Sequence, residues 1–279
     1  MPKLHVTTII LTYNSRATIE ACIASVYAST GPFTLDCIVV DNASLDDSAA
    51  FLRQFNEKYP FTFIESPKNK GFAAGVNIGL KEMQKSLRTQ RTTAPKNNFT
   101  FLLNPDTKIQ ADTMAQLIAF LEAHPRAGIV EPQMRYPDGR MQSSNFGRFP
   151  TRHTELFHAF KLHKVLPFGR YVVPHGLGKY YFKKPRQFDW VGGGAMFMRA
   201  EVPQEIGLFD ERYFLYIEDI DFCRRARSAG YEIWYNPDVV ITHVLSASFQ
   251  QPCGAQKKST QRSFEQQSLR YYFEKWGNV

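Results

Sequence analysis

Through its first hundred residues this chain alternates short apolar, β-branched runs with longer stretches of helical periodicity, and that alternation restricts it to an α/β architecture. Val6 to Leu11, Leu35 to Val40, Phe61 to Glu65 and Phe99 to Leu103 read as strands. Between them, Ser15 to Ala28 places Ile19, Cys22, Ile23 and Val26 on one helical face, with Ser15 as a candidate N-cap. Asp46 to Tyr59 reads as a second helix, and Gly71 to Gln84 as a third carrying Ala73, Val76, Ile78 and Leu80. This order predicts a Rossmann-like, mostly parallel central sheet flanked by helices. In such sheets ligands settle beyond the carboxyl ends of the strands. Three predicted strand ends carry polar groups, around Tyr13, Asp41 and Asp106, and so nominate one crevice.

Beyond residue 103 the pattern loosens. Ser86 to Asn98 is polar and basic and reads as a surface loop. Asp112 to His124 reads as a helix closed by Pro125. Residues 148–187 are rich in aromatic, basic and proline residues and read as an excursion from the sheet. Trp190 to Arg199 returns as a strand interrupted by Gly192-Gly193-Gly194. Glu218 to Ala229 is helical up to Gly230, Glu232 to Tyr235 and Val239 to Thr242 read as two short strands, and Ser263 to Trp276 as an amphipathic helix. The expected organisation is one domain over residues 1–245, with 148–187 as an insertion within it, and a helical tail over 246–279. No internal repeat is visible.

The 34 Lys and Arg against 26 Asp and Glu give a net charge of +8, which attracts anions: nucleotides, nucleic acid or acidic lipid. The basic residues are dispersed and form no nucleic-acid motif, so a nucleic-acid partner is not expected. Cys22, Cys37, Cys223 and Cys253 are scattered, which suits reduced thiols in the cytoplasm. Neither an apolar leader nor an apolar run of spanning length is present, so membrane contact is expected to be peripheral.

The chemistry concentrates in two places. Glu218, Asp219 and Asp221 occupy four positions directly after Phe214-Leu215-Tyr216-Ile217. Crowded acids raise one another's pKa, which suits a proton acceptor. The alternatives are a helix-dipole role for Glu218 and neutralisation by Arg224 and Arg225. Far upstream, Asp106 follows an apolar run and Pro105. It suits a hard oxygen ligand for magnesium or manganese bridging two phosphates, or an ordinary Asn-Pro-Asp turn. Asp41 can accept from a base imide or from ribose hydroxyls, or serve as a loop residue ahead of the next helix. Lys68-Asn69-Lys70-Gly71 opens a helix with free N–H groups, but no G-x-G-x-x-G follows the first strand, which disfavours a dinucleotide-dependent dehydrogenase. His243, after Val239 to Thr242, is either structural or a second metal ligand beside Asp106.

Taken in order, several segments resemble the family 2 glycosyltransferases of GT-A fold. They are Ile10 to Asn14, Val39 to Ser44, Asn69 to Asn77, Leu103 to Asp106, Trp190 to Ala195, Phe209 to Glu211, Phe214 to Cys223, Ala229 to Tyr231, and His243. The resemblance implies a nucleotide-sugar donor, a divalent cation (Mg or Mn) and inversion at the anomeric carbon. By position it makes Thr12, Tyr13 and Asp41 nucleobase contacts, with Asn14 beside them, and Asn69 and Gly71 nucleotide or phosphate contacts, with Asn77 in the same run. Asp106 becomes the metal-binding acid and His243 the late metal ligand. Asn104 stands where the family's first acid is expected; it can reach a ribose but adds no charge. Trp190, Gly192 and Gly193 line the sugar and acceptor, next to Glu218, and Asp219 is the base.

Within the family, Phe214 to Arg225 and Ser268 to Phe273 are similar to bacterial rhamnosyltransferases of surface-polysaccharide assembly. That implies a dTDP- or UDP-sugar donor, dTDP-rhamnose above all, and a glycan or polyprenyl-diphosphate-linked acceptor. Residues 148–187 would then face the acceptor or the cytoplasmic side of the inner membrane, the other reading being a solvated insertion. The alternative function is a non-catalytic nucleotide-sugar-binding subunit, for which Asn104 leaves room.

Overall fold

A computed structural model describes residues 4–90, 97–142, 146–153, 183–244 and 255–277. Its centre is a nine-stranded sheet in the order β3-β2-β1-β4-β10-β6-β11-β5, with β8 paired on β11. The first strands are β1 (Leu4–Thr12), β2 (Phe33–Asp41), β3 (Thr62–Glu65) and β4 (Asn98–Leu103). All four run parallel. Helices α1 (Ile19–Tyr27), α2 (Ser48–Phe55) and α3 (Gly71–Gln90) make the crossovers.

After β4 come β5 (Thr107–Lys108), α4 (Thr113–Ala123), β6 (Ala127–Arg135), β7 (Phe146–Gly147), β8 (Arg186–Phe188), β9 (Trp190–Val191) and β10 (Ala195–Arg199). The chain ends with α5 (Val202–Glu205), α6 (Glu218–Ser228), β11 (Glu232–His243) and α7 (Ala255–Trp276). β10 lies antiparallel between β4 and β6, whereas β6 and β11 are parallel to each other. The sheet is therefore mixed but mostly parallel, of GT-A type.

The two-residue period of the strands divides the core. Val6, Ile10, Val39, Phe99, Phe101 and Leu103 face α1, α2 and α4, whose contributions include Ile23, Leu52 and Leu117. Ile9, Val40 and Leu102 face the opposite layer, where α3, α6 and α7 supply Leu80, Phe222 and Tyr272. The tail helix thus belongs to the core of the molecule.

Several elements depart from the sequence reading. α3 continues through Gln90, so the start of the expected 86–98 loop is helical; Leu87, Arg88 and Gln90 are good helix formers. Residues 91–96 of that loop lie outside the described residues. Ser15 does not cap α1: the helix begins at Ile19, and the Ser15 carbonyl accepts the amides of Thr18 and Ile19 in a preceding turn. β6 was not anticipated. The two short strands after residue 231 are one strand, β11, whose register against β6 slips between Asn236 and Val240. The 148–187 excursion leaves and returns at one neck, where β7 pairs with β9 and Asp189 accepts from the Phe149 amide at 3.1 Å. Residues 154–182, the greater part of that excursion, lie outside the described residues.

Candidate active site

The carboxyl ends of β1, β2 and β4 meet as expected, because the parallel register sets Thr12 opposite Asp41 and Ile10 opposite Leu103. The loops beyond β1 and β2 are tied together. Asn14 and Ala43 adopt left-handed backbone (φ 52° and 62°). The Asn14 amide donates to Ser44 Oγ at 2.9 Å, and Asn14 Oδ1 accepts the Leu45 amide at 2.6 Å. Asp41 is buried, and its carboxylate accepts Ser44 Oγ at 2.6 Å and Ser44 N at 2.9 Å. Tyr13 and Leu45 are left exposed at 38% and 85%, two apolar surfaces at the mouth that a planar base could lie against. Thr12 Oγ1, at the end of β1, is buried and has no hydrogen-bond partner among the described residues.

Asn69 and Asn77 are engaged in holding backbone. Asn69 Oδ1 accepts the Gly71 amide at 2.9 Å and Asn42 Nδ2 at 3.1 Å. Asn77 is buried, donates to the Phe209 carbonyl at 2.8 Å and accepts the Phe209 amide at 3.0 Å. Asn77 thus braces the 209–211 turn. Trp190 is likewise buried, its indole N–H donated to the Arg148 carbonyl at 2.9 Å, and it shapes the crevice from behind. Gly71 opens α3 at φ +86°, and a Cβ there would fall 2.1 Å from the Phe214 carbonyl oxygen. The next amide, Phe72, donates to that same carbonyl at 2.8 Å. Glycine is thus required where the start of α3 meets the segment leading into α6.

At the β4 end, β5 pairs with the end of β11 and sets Thr107 opposite His243. His243 Nε2 lies 3.1 Å from Asp106 Oδ1, and both side chains are largely buried. Gln142 fixes the ring: its Nε2 donates to the His243 carbonyl at 2.6 Å, which can only accept, so its Oε1 accepts Nδ1–H at 2.7 Å. The Nε2 lone pair of a neutral His243 then faces the Asp106 carboxylate. Two acceptors in contact need a cation, either a second ring proton or a metal ion. One carboxylate and one imidazole suit magnesium or manganese completed by phosphate and water oxygens. Among the described residues no group of three or more His, Cys, Asp or Glu forms a metal cage, so the protein would supply only part of the coordination.

Asp219 lies on the other side of the Gly192-Gly193-Gly194 loop. Asn104 N donates to the Gly194 carbonyl at 2.9 Å. One residue earlier, Gly193 N donates to Asp219 Oδ2 at 3.2 Å. The acid-bearing turn after β4 and the first turn of α6 are therefore joined through two adjacent glycines. Burial pushes the Asp219 carboxyl up to about 6, with the Gly193 and Ile220 amides acting in the opposite sense. Glu218 is buried, one of its oxygens has no partner among the described residues, and burial followed by the Asp219 charge raises it well above the usual carboxylate range.

Glu131 joins this acidic corner, and no sequence motif announced it. It sits on β6 opposite Tyr235, is 1% exposed, and neither carboxylate oxygen makes a well-formed hydrogen bond among the described residues. Burial, then the Asp219 charge, holds it well above its ordinary value, partly offset by the Gly192 amide. Burial without a compensating partner disfavours the charged form of this carboxyl. An acid inside the apolar run Gly128-Ile129-Val130 was the available signal. Gln142 had none.

Comparison with known proteins bears on the family and the fold. The sequence model described as Glycosyl transferase family 2 matches residues 7–187. A hexosyltransferase of low-salt glycan biosynthesis from Haloferax volcanii is 27% identical over 196 residues, covering 70% of this chain and 54% of that protein. An N-acetylglucosaminyl-diphospho-decaprenol L-rhamnosyltransferase from Mycobacterium tuberculosis is 23% identical over 248 residues, covering 84% of this chain and 74% of that one. Among solved structures, a Pyrobaculum calidifontis mannosyltransferase in complex with GDP-Man and Mn2+ shares the fold, with a TM-score of 0.61 at 20% identity. That match covers 99% of this chain and 66% of the other.

Proposed function

The chain belongs to glycosyl transferase family 2, and from that premise we propose that it moves a sugar, with inversion, from a nucleoside-diphosphate donor to a hydroxyl of a glycan or lipid-linked acceptor. The observation that carries this reading is the Gly192-Gly193-Gly194 loop, which holds Asp219 on one side and the Asn104-Pro105-Asp106 turn on the other. In this reading the nucleobase lies between Tyr13 and Leu45, and Asn104 hydrogen-bonds the ribose or a phosphate. Asp219 accepts the proton of the acceptor hydroxyl as its oxygen bonds to the anomeric carbon, and the bond from that carbon to the diphosphate breaks with its electron pair on the leaving group. Asp106 and His243 would hold a divalent cation, which when bound offsets the charge on the departing diphosphate. A single displacement needs one base, and no placed nucleophile is required.

The M. tuberculosis relative, named as a rhamnosyltransferase acting on a decaprenyl-linked sugar, supports a rhamnose donor and a polyprenyl-diphosphate-linked acceptor. No helix among the described residues is long and apolar enough to cross a membrane, so contact with such an acceptor would be made from the membrane surface. The test is a panel of dTDP-, UDP- and GDP-sugars with Mn2+, scored for transfer and donor hydrolysis. Asp219→Asn and Asp106→Ala are expected to lower turnover by about 10²–10⁴-fold. Full turnover in both variants removes these residues from the reaction, and donor binding without turnover in the wild type selects the non-catalytic subunit, the reading that the uncharged Asn104 favours.

A further inference from the structure

The base-bearing turn is held in place by the far end of the chain. Asp221, two residues after Asp219 in the first turn of α6, is fully buried. Its Oδ1 accepts Lys275 Nζ at 2.7 Å and the Trp276 indole N–H at 2.8 Å, and its Oδ2 accepts Arg225 Nε at 3.0 Å. Two of these three donors come from the last two residues of α7. Lys275 also reaches Asp210 at 2.9 Å, beside Tyr271 Oη at 2.8 Å and Arg212 at 3.0 Å. Although burial opposes it, hydrogen bonds from Arg212, Lys275 and Tyr271 hold the Asp210 carboxyl well below the usual range.

The same helix seals the approach to α6. Ser268 Oγ donates to the Leu215 carbonyl at 3.0 Å, Arg224 donates to Tyr272 Oη at 2.6 Å, and Phe264 stacks on Phe214 at 4.7 Å. Beneath these contacts Tyr216 and Ile217 both adopt left-handed backbone, φ 67° and 70°. That conformation is costly for a bulky residue, and for β-branched Ile217 above all. It persists only where surrounding structure imposes it. Ile217 is the residue from which α6 starts, so this imposed bend sets the direction of Glu218 and Asp219.

We propose that α7 is a strut of the active site, in which Lys275 and Trp276, acting through Asp221, hold the first turn of α6 and so position Asp219. Neither side chain touches the reacting atoms; they are positioning residues. The assignment of Asp219 as base rests on the functional reading above, whereas the mechanical coupling of α7 to α6 does not.

The test uses the full-length chain carrying Lys275→Met, Trp276→Phe or Lys275→Arg. With a nucleotide sugar that the wild type turns over, Lys275→Met is expected to lower kcat by about 10- to 100-fold, the scale of a small misplacement of a reacting group. Donor KM should stay within about twofold, because the donor corner is untouched. Lys275→Arg, which keeps the cation, should recover most of the loss. In parallel, amide hydrogen exchange over residues 218–222 should quicken in Lys275→Met while α4 stays protected. Should Lys275→Met fail to fold, Trp276→Phe keeps the ring, removes one donor and carries the same comparison.

Unchanged kcat overturns the proposal, as does a loss shared between kcat and KM with exchange raised throughout the molecule. A wild type inactive on every donor overturns the functional reading instead, and the exchange comparison over 218–222 then decides the strut alone.

Discussion

At the scale of single residues the site is governed by where protons sit. In its proposed role as base Asp219 must be ionised to accept a proton, and burial lifts it to about 6. The kcat–pH profile is therefore expected to rise with pH and level off above an acid limb near 6, measurable with saturating donor. The same shift acts on stability in the opposite sense. Between its ordinary value near 4 and about 6 the folded chain keeps a proton that the unfolded chain has released, so stability is lost as pH rises through that window. Asp219→Asn should accordingly raise stability at pH 7.5 by about 1–3 kcal/mol in denaturant titration while removing activity; an unchanged midpoint would show that Asp219 ionises freely. Gln142 holds His243 in the tautomer that offers Nε2 to Asp106. Gln142→Leu should weaken Mn2+ binding, read by calorimetry, by about 10- to 100-fold, with little change in metal-free unfolding. Asp106 and His243 could be paired from sequence because each ends an apolar run. Gln142 could not, since it is 101 positions from its partner and stands in no pattern. Glu131 escaped for a related reason: an acid inside an apolar strand reads as an interruption of the strand.

At the scale of elements, the central strands were legible because each is a continuous apolar run between turn signals. What failed was local. β6 contains Gly128, Glu131 and Pro132, which obscure its apolar period, and its register against β11 slips just beyond Pro132. The end of α3 was masked by polar composition, although its residues favour helix. The junction between α3 and the lead-in to α6 permits a prediction at this scale. Gly71→Ala places a methyl against the Phe214 backbone at a positive φ, so both elements must separate. We expect a loss of about 1–3 kcal/mol of stability together with weaker donor binding, seen as a raised KM. A variant with wild-type KM would show that the start of α3 does not touch the donor. The contact between α7 and Asp221 was illegible for a different reason: the amphipathic pattern of α7 shows that one face is buried, but not against what.

At the scale of the whole molecule the order of motifs along the chain was sufficient to place the fold and the crevice. The pairing of those motifs through the glycine loop and the tail helix needed three dimensions. In the proposed site the donor and the cation share the Asn104–Asp106 turn, so the two ligands should stabilise the protein together. A nucleotide sugar with Mn2+ should raise the melting temperature by more than the two added separately, with about 2.7 kcal/mol available at a hundredfold excess over Kd. Asp106→Ala should abolish the excess. The topology has a temporal consequence as well. The strand at the middle of the sheet, β10, is made of residues 195–199, yet it fills the gap between β4 and β6, both completed by residue 135. While the chain emerges from the ribosome, some sixty residues of synthesis separate the exposure of those two bare edges from the arrival of the strand that covers them. Unpaired edges of this kind invite pairing with neighbouring chains. Fragments cut before residue 195 are therefore expected to be insoluble where the whole chain is not, an outcome that follows from the strand order itself.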